Sequence, residues 1–216
     1  VTTEVFSNCG LGGAPVNSAG RAALLDYTPG DYEGIDFNWL RVSEYLERIP
    51  KAGVNVAYLI PHGAARASAM GYATRPAAKP EIDVMRGLIK EGMEEGAFGL
   101  STGLAYVPMS SSEPDEIVSL CEVVGKYGGF LASHLRNYSE GIVDSLNEMV
   151  EAARVGGVPV QVSHYAAAGA YHRGHGKQFL QYIIDAREQG YDLTYDSYPY
   201  HFSAGFTRNT IPAKYH

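Results

Sequence analysis

Short apolar runs alternate with longer amphipathic stretches along this chain. The runs predict strands over 2–7, 54–60, 97–101, 129–133, 158–163 and 191–196. Between them, apolar residues recur at helical spacing and predict helices over 37–50, 81–95, 114–127, 140–155 and 177–189. The punctuation agrees. Asp36 and Ser139 stand where a side-chain oxygen caps a helix start, and Pro80 and Pro114 suit first helical turns. Gly53, Gly96, Gly128, Gly156 and Gly190 each follow a helix, where a left-handed residue ends the turn without a Cβ clash. Helix, glycine, strand and loop, repeated, is the rhythm of a parallel sheet with helical crossovers. Two long segments, 8–36 and 61–80, interrupt it and read as lids or pocket walls.

An open doubly wound sheet would gather its functional residues at one switch point. Here a chemically capable residue follows nearly every strand: Cys9, His62, Ser101, His134, His164 and Asp196. A closed α/β barrel accounts for that distribution better, because all its strand ends face one mouth. Six strands are legible, whereas such a barrel needs eight. The expectation is therefore a partial (β/α)8 barrel with its first and last elements missing, in one incomplete catalytic domain over 1–216. The remaining strands would come from flanking chain or from another polypeptide. The chain starts within a strand and without an initiator methionine, so further sequence upstream is expected.

Composition narrows the partners. A chain of 216 residues, 45% apolar, can bury one large core. Its 17 basic and 24 acidic residues give a net charge of -7, with no basic run longer than two, which argues against nucleic acid. No apolar run approaches membrane-spanning length and no signal peptide is legible, so a cytoplasmic protein is expected. Two cysteines are too few for a disulfide scaffold. Cys121 falls in a helical pattern and reads as buried filler, but Cys9, between Asn8 and Gly10 at a strand end, does not.

Cys9, His134 and His164 form a possible metal-ligand set. Thiolate and imidazole are good zinc ligands, and three of them leave one position open. A cation held so acidifies water and polarises a carbonyl, chemistry suited to amide hydrolysis. A single histidine after a strand is more often an ordinary hydrogen-bonded loop residue. The matched Ser133-His134 and Ser163-His164 pairs strengthen the metal reading. Arg136 could hold a substrate carboxylate or pair with an acid such as Glu140. Tyr106 could donate to a substrate oxygen or be a wall residue. Asp196 could be a base, a support for a ligand histidine, or a cap. His62 could be a pocket donor.

Five blocks then carry a resemblance. They are Val1-Thr2-Thr3 through Asn8-Cys9-Gly10; Gly96 through Leu104 with Tyr106 and Pro108; His134-Leu135-Arg136-Asn137; Val160 through His164; and Asp196-Ser197-Tyr198-Pro199-Tyr200. In this order and spacing the chain resembles the N-acyl-D-amino-acid deacylases, or D-aminoacylases, of the amidohydrolase superfamily. The resemblance implies a distorted (β/α)8 barrel with a small β-rich domain from the two chain ends. It implies zinc on Cys9, His134 and His164, with Tyr106 and Arg136 near the substrate and His62 as a secondary pocket candidate. It implies hydrolysis of a small N-acyl-D-amino acid to a carboxylate and a free D-amino acid.

The chain also departs from the family pattern. A His-x-His pair after the first barrel strand and a catalytic aspartate after the last both fall outside these 216 residues, and the isolated segment is expected to be inactive. Ala166 stands where the family usually has lysine, and Phe206-Thr207 where it has serine-threonine. The resemblance gives Asp196 a supporting role. Two alternatives remain open: a cyclic-amide hydrolase of the dihydroorotase or hydantoinase type, and a non-catalytic relative or inactive fragment. The first commonly bridges two metals with a carboxylated lysine, and no strand-end lysine is present here.

Overall fold

The computed structural model describes residues 1–27, 34–49, 52–200 and 202. Six strands form one parallel sheet in chain order: β1 (Thr3–Phe6), β2 (Asn55–Pro61), β3 (Gly99–Gly103), β4 (Phe130–His134), β5 (Val160–Val162) and β6 (Leu193–Tyr195). All six expected strands are present. Helices α1 (Ser18–Tyr27), α2 (Val42–Glu47), α3 (His62–Met70), α4 (Lys79–Glu94), α5 (Pro114–Gly125), α6 (Ile142–Gly156) and α7 (Gly176–Glu188) connect and cover them.

The sheet is curled and open, a half-barrel. Strand alternation explains its two faces. Tyr58, Ile60, Leu100, Leu131, Val160 and Val162 point outward and join Met85, Ile89, Ile117, Leu120, Leu146 and Ile183 of the helices in one buried core. Each such side chain contributes roughly 1.5–3 kcal/mol on burial. The other face is concave. Val5 of β1, Phe130 and Ala132 of β4 and Thr194 of β6 line one hollow of about 500 Å³. Residues from both outer strands can share a hollow only because the sheet bends round it.

Several local expectations are corrected. The segment read as helix from residue 37 is extended until Arg41. Trp39 donates to the Gly13 carbonyl at 3.0 Å, and the Val16 amide donates to the Leu40 carbonyl at 2.8 Å. Pairing with 13–16 holds 37–40 out of the helix. Asp36 therefore caps nothing and instead accepts from Asn38 Nδ2 at 2.8 Å. The end of that expected helix, at Pro50, lies outside the described residues. In α6 the cap is Gly141, not Ser139, and the left-handed stop is Gly157, since Gly156 is still helical.

Each of the two long segments read as lids or pocket walls contains a helix, α1 in the first and α3 in the second. Helix α3 escapes a periodicity reading because it is buried on every side: His62 through Ser68 are all buried, so it has no polar stripe. Helix α1 lies against it so closely that a Cβ on Gly20 would stand 2.2 Å from Ser68 Oγ. No helix among the described residues is long and apolar enough to cross a membrane.

Candidate metal centre

The first arm of the site is the turn after β1. Ser7 (φ 64°) and Cys9 (φ 56°) both lie in the left-handed region, which non-glycine residues occupy at a cost of roughly 1–3 kcal/mol each. The end of β3 enforces this turn. The Ser101 hydroxyl donates to the Ser7 carbonyl and accepts the Gly10 amide at 3.0 Å. Gly103 lies so near that a Cβ there would meet the Cys9 carbonyl oxygen at 2.3 Å.

The other arms are simpler. His134 is the last residue of β4, in register with Gly103. His164 follows β5 with φ 38°, and its amide donates to Asp196 Oδ1 at 2.6 Å. That bond holds the left-handed residue in place and aims the ring inward.

The three side chains converge. His134 Nδ1 is 2.8 Å from His164 Nε2, and Cys9 Sγ is 3.5 Å from the same Nε2. One ligand atom from each lies within 4.8 Å of the others, and all three residues are half-buried. The Tyr106 hydroxyl stands 3.0 Å from His134 Nδ1 and so borders the cluster. Burial drives the His134 pKa down to about 3, with a further push from His164, and burial lowers His164 as well. Both rings are therefore neutral at ordinary pH and keep lone pairs for a cation. Burial, and then the Asp196 charge, push the Cys9 thiol up to about 11. A divalent cation reverses that preference by coordinating the thiolate.

This donor set fits zinc. Bond lengths of about 2.0–2.3 Å place tetrahedral ligand atoms roughly 3.3–3.6 Å apart. The sulfur–nitrogen distance already matches, and the two nitrogens need to separate by a few tenths of an ångström. Cys9, His134 and His164 are the residues that would hold the metal.

Known proteins resemble this chain in sequence and in fold. A D-aminoacylase of Alcaligenes xylosoxydans xylosoxydans is 36% identical over 202 residues, which is 93% of this chain and 41% of the relative. An N-acyl-D-glutamate deacylase of the same organism is 32% identical over 206 residues, again 93% and 41%. The chain thus spans about two fifths of the length of the curated relatives it matches. Among solved structures, a D-aminoacylase that defines a novel subset of amidohydrolases aligns with a TM-score of 0.81 at 35% identity, covering 93% of this chain and 42% of its own. The N-acyl-D-glutamate deacylase from Bordetella bronchiseptica, complexed with zinc and a phosphonate mimic of the tetrahedral intermediate, aligns at 0.79 with 30% identity and the same coverage. No family model matches.

The chain belongs to the D-aminoacylase branch of the amidohydrolases.

In this chain of the D-aminoacylase branch, two residues singled out in the sequence, Arg136 and His62, are engaged by other protein groups. Arg136 does not pair with Glu140; its partners are Glu148 and two backbone carbonyls. Four of its five N–H donors are taken. Nε and Nη2 donate to the two Glu148 carboxylate oxygens at 3.1 and 2.8 Å, and Nη1 and Nη2 to the carbonyls of Ser110 and Ser112 at 3.0 and 2.9 Å.

His62 does not face the mouth. It is fully buried, with Nδ1 2.9 Å from Thr102 Oγ1 and Nε2 2.7 Å from Glu116 Oε1. Arg66 donates to both oxygens of Glu116 at 2.7 and 2.6 Å and to the Arg75 carbonyl at 2.8 Å. Burial holds His62 neutral, so Arg66 is the cation of this cluster.

Asp196 accepts from His164 and, at 3.0 Å, from Gln161 Nε2, which matches a supporting position. Tyr138 carried no functional reading in the sequence. Its hydroxyl accepts the Leu135 amide and donates to the Ser163 carbonyl, both at 2.9 Å, tying the two histidine loops together. Its position four residues after His134 was the available signal.

Proposed function

We propose that the protein containing this chain hydrolyses the amide bond of N-acyl-D-amino acids in a zinc-dependent reaction. One observation carries the reading: Cys9, His134 and His164, from three separate strand ends, converge on one point in a chain of the D-aminoacylase branch. Zinc bound there supplies a Lewis acid for the amide carbonyl and acidifies water. The chain's own residues hold the metal and orient the substrate. His134 and His164 stay neutral and present lone pairs. Asp196 fixes the backbone of His164. The Tyr106 hydroxyl, beside His134, donates to the substrate carbonyl oxygen as negative charge develops on it. Both oxygens of Asp196 are engaged, so we assign the proton-shuttling carboxylate elsewhere, outside these 216 residues.

The test uses the full-length protein. Its zinc content and its release of free amine from N-acetyl-D- and N-acetyl-L-amino acids are measured before and after chelation. The expected result is hydrolysis selective for the D series, lost on chelation and restored by zinc. Activity that survives complete metal removal, or no turnover of any N-acyl-D-amino acid by the zinc-loaded protein, overturns the reading.

A further inference from the structure

The segment between β3 and α5, residues 104–113, touches both sides of the centre. Tyr106 reaches His134. Three residues on, the Met109 thioether accepts the Gly103 amide at 3.3 Å and lies 2.2 Å from where a Cβ on Gly10 would stand, directly under the Cys9 turn. Two of the segment's carbonyls, those of Ser110 and Ser112, are satisfied from outside. Arg136 donates to Ser110 and Ser112, and Glu148 on α6 grips the same guanidinium through both carboxylate oxygens. Glu148 is nearly buried, with its side chain 7% exposed against 32% for Arg136. A carboxylate so placed fixes the plane of the fork, and the fork's outer N–H groups then fall on two carbonyls two residues apart.

We propose that Arg136 and Glu148 act as positioning residues that latch the Tyr106–Met109 segment over the metal centre, and that Arg136 is not the anchor for a substrate carboxylate. The activity arm of this inference rests on the proposed amide hydrolysis; the structural arm does not. Removing the Glu148 charge leaves a half-buried guanidinium without its partner. The fork turns, the Ser110 and Ser112 carbonyls lose their donors, and Tyr106 loses its fixed approach to His134. The metal ligands themselves are untouched.

The experiment uses full-length zinc-loaded protein carrying Glu148→Gln or Arg136→Lys. Amide hydrogen exchange over 104–112 is compared with that over β4. Steady-state kinetics compare an N-acetyl-D-amino acid with its uncharged carboxamide counterpart. In Glu148→Gln the segment should exchange about tenfold faster with β4 unchanged and zinc retained, and kcat should fall about tenfold for both substrates with little change in KM. Unchanged exchange over 104–112 overturns the latch. So does an Arg136→Lys effect confined to a raised KM for the carboxylate substrate while Glu148→Gln is harmless, since Arg136 would then be the anchor. If Glu148→Gln does not fold, Glu148→Asp keeps the charge on a shorter arm and should give intermediate exchange; wild-type exchange there counts against the latch. A protein that turns over neither substrate defeats the functional reading, but its exchange pattern still tests the latch.

Discussion

Gly103 sits between two of the three candidate ligands, beside His134 in the sheet and against the Cys9 carbonyl. The Cys9 turn is already strained and pinned by Ser101, so it has little room to give. Gly103→Ala should therefore displace the thiol, weaken zinc binding by about tenfold or more and cost roughly 1–3 kcal/mol of stability; competition with a chromogenic chelator measures the first and thermal unfolding the second. Tyr106→Phe is the opposite case. It should leave zinc in place and lower kcat/KM by roughly 1–3 kcal/mol, a loss confined to turnover in a paired metal and kinetic assay. Cys9, His134 and His164 were legible because each closes an apolar run, and parallel strands send such residues to one mouth. The partners of Arg136 and His62 were not. A polar side chain near a mouth reads the same whether it faces substrate or protein, and Glu148 and Glu116 lie twelve and 54 residues from their partners, on helices whose packing the pattern does not specify.

Helix α3 opens directly onto the end of β2, and its first turn brings His62 onto Glu116 of α5 and Thr102 of β3. This cluster locks three elements behind the metal centre. Burial alone would raise the Glu116 pKa, but the hydrogen bonds from His62 and Arg66 and the charge of Arg66 hold it below the usual carboxylate range. His62 is pushed the other way by burial, below its ordinary value. Both shifts remove stability in acid. Below about pH 6.5 the unfolded chain binds a proton at His62 that the folded chain refuses, and below about pH 4.3 the same holds at Glu116, until its lower folded value is passed. Unfolding temperature should thus fall from near pH 6.5 downward, and His62→Asn should flatten the upper part of that decline. Glu116→Gln should destabilise by about 3–5 kcal/mol at neutral pH, because Arg66 is left buried without a counter-charge; denaturant midpoints check this. The amphipathic helices were legible from their stripes. Helix α3 was hidden because burial on all sides erases the stripe.

The half-barrel leaves β1 and β6 as its outer strands and a hollow where a complete barrel is filled by side chains. Val5, on β1, is 53% exposed in that hollow. We expect further strands of the full protein to cover it. Amides of β1 and β6 should be protected from exchange in the full-length protein and exposed in the 216-residue segment, which should also bind an apolar dye; equal protection in both would show that the hollow needs no filling. The curl has another consequence, in time rather than space. Cys9 leaves the ribosome 155 residues before His164. At about 5–20 residues per second, the thiol waits roughly 8–30 s for its second imidazole neighbour. Ser101, Gly103 and Met109, which shape the turn around it, are all made before His134, so the thiol can be housed while the centre is still half built. Synthesis order thus leaves the three-residue set incomplete until β5 and the turn after it have been translated.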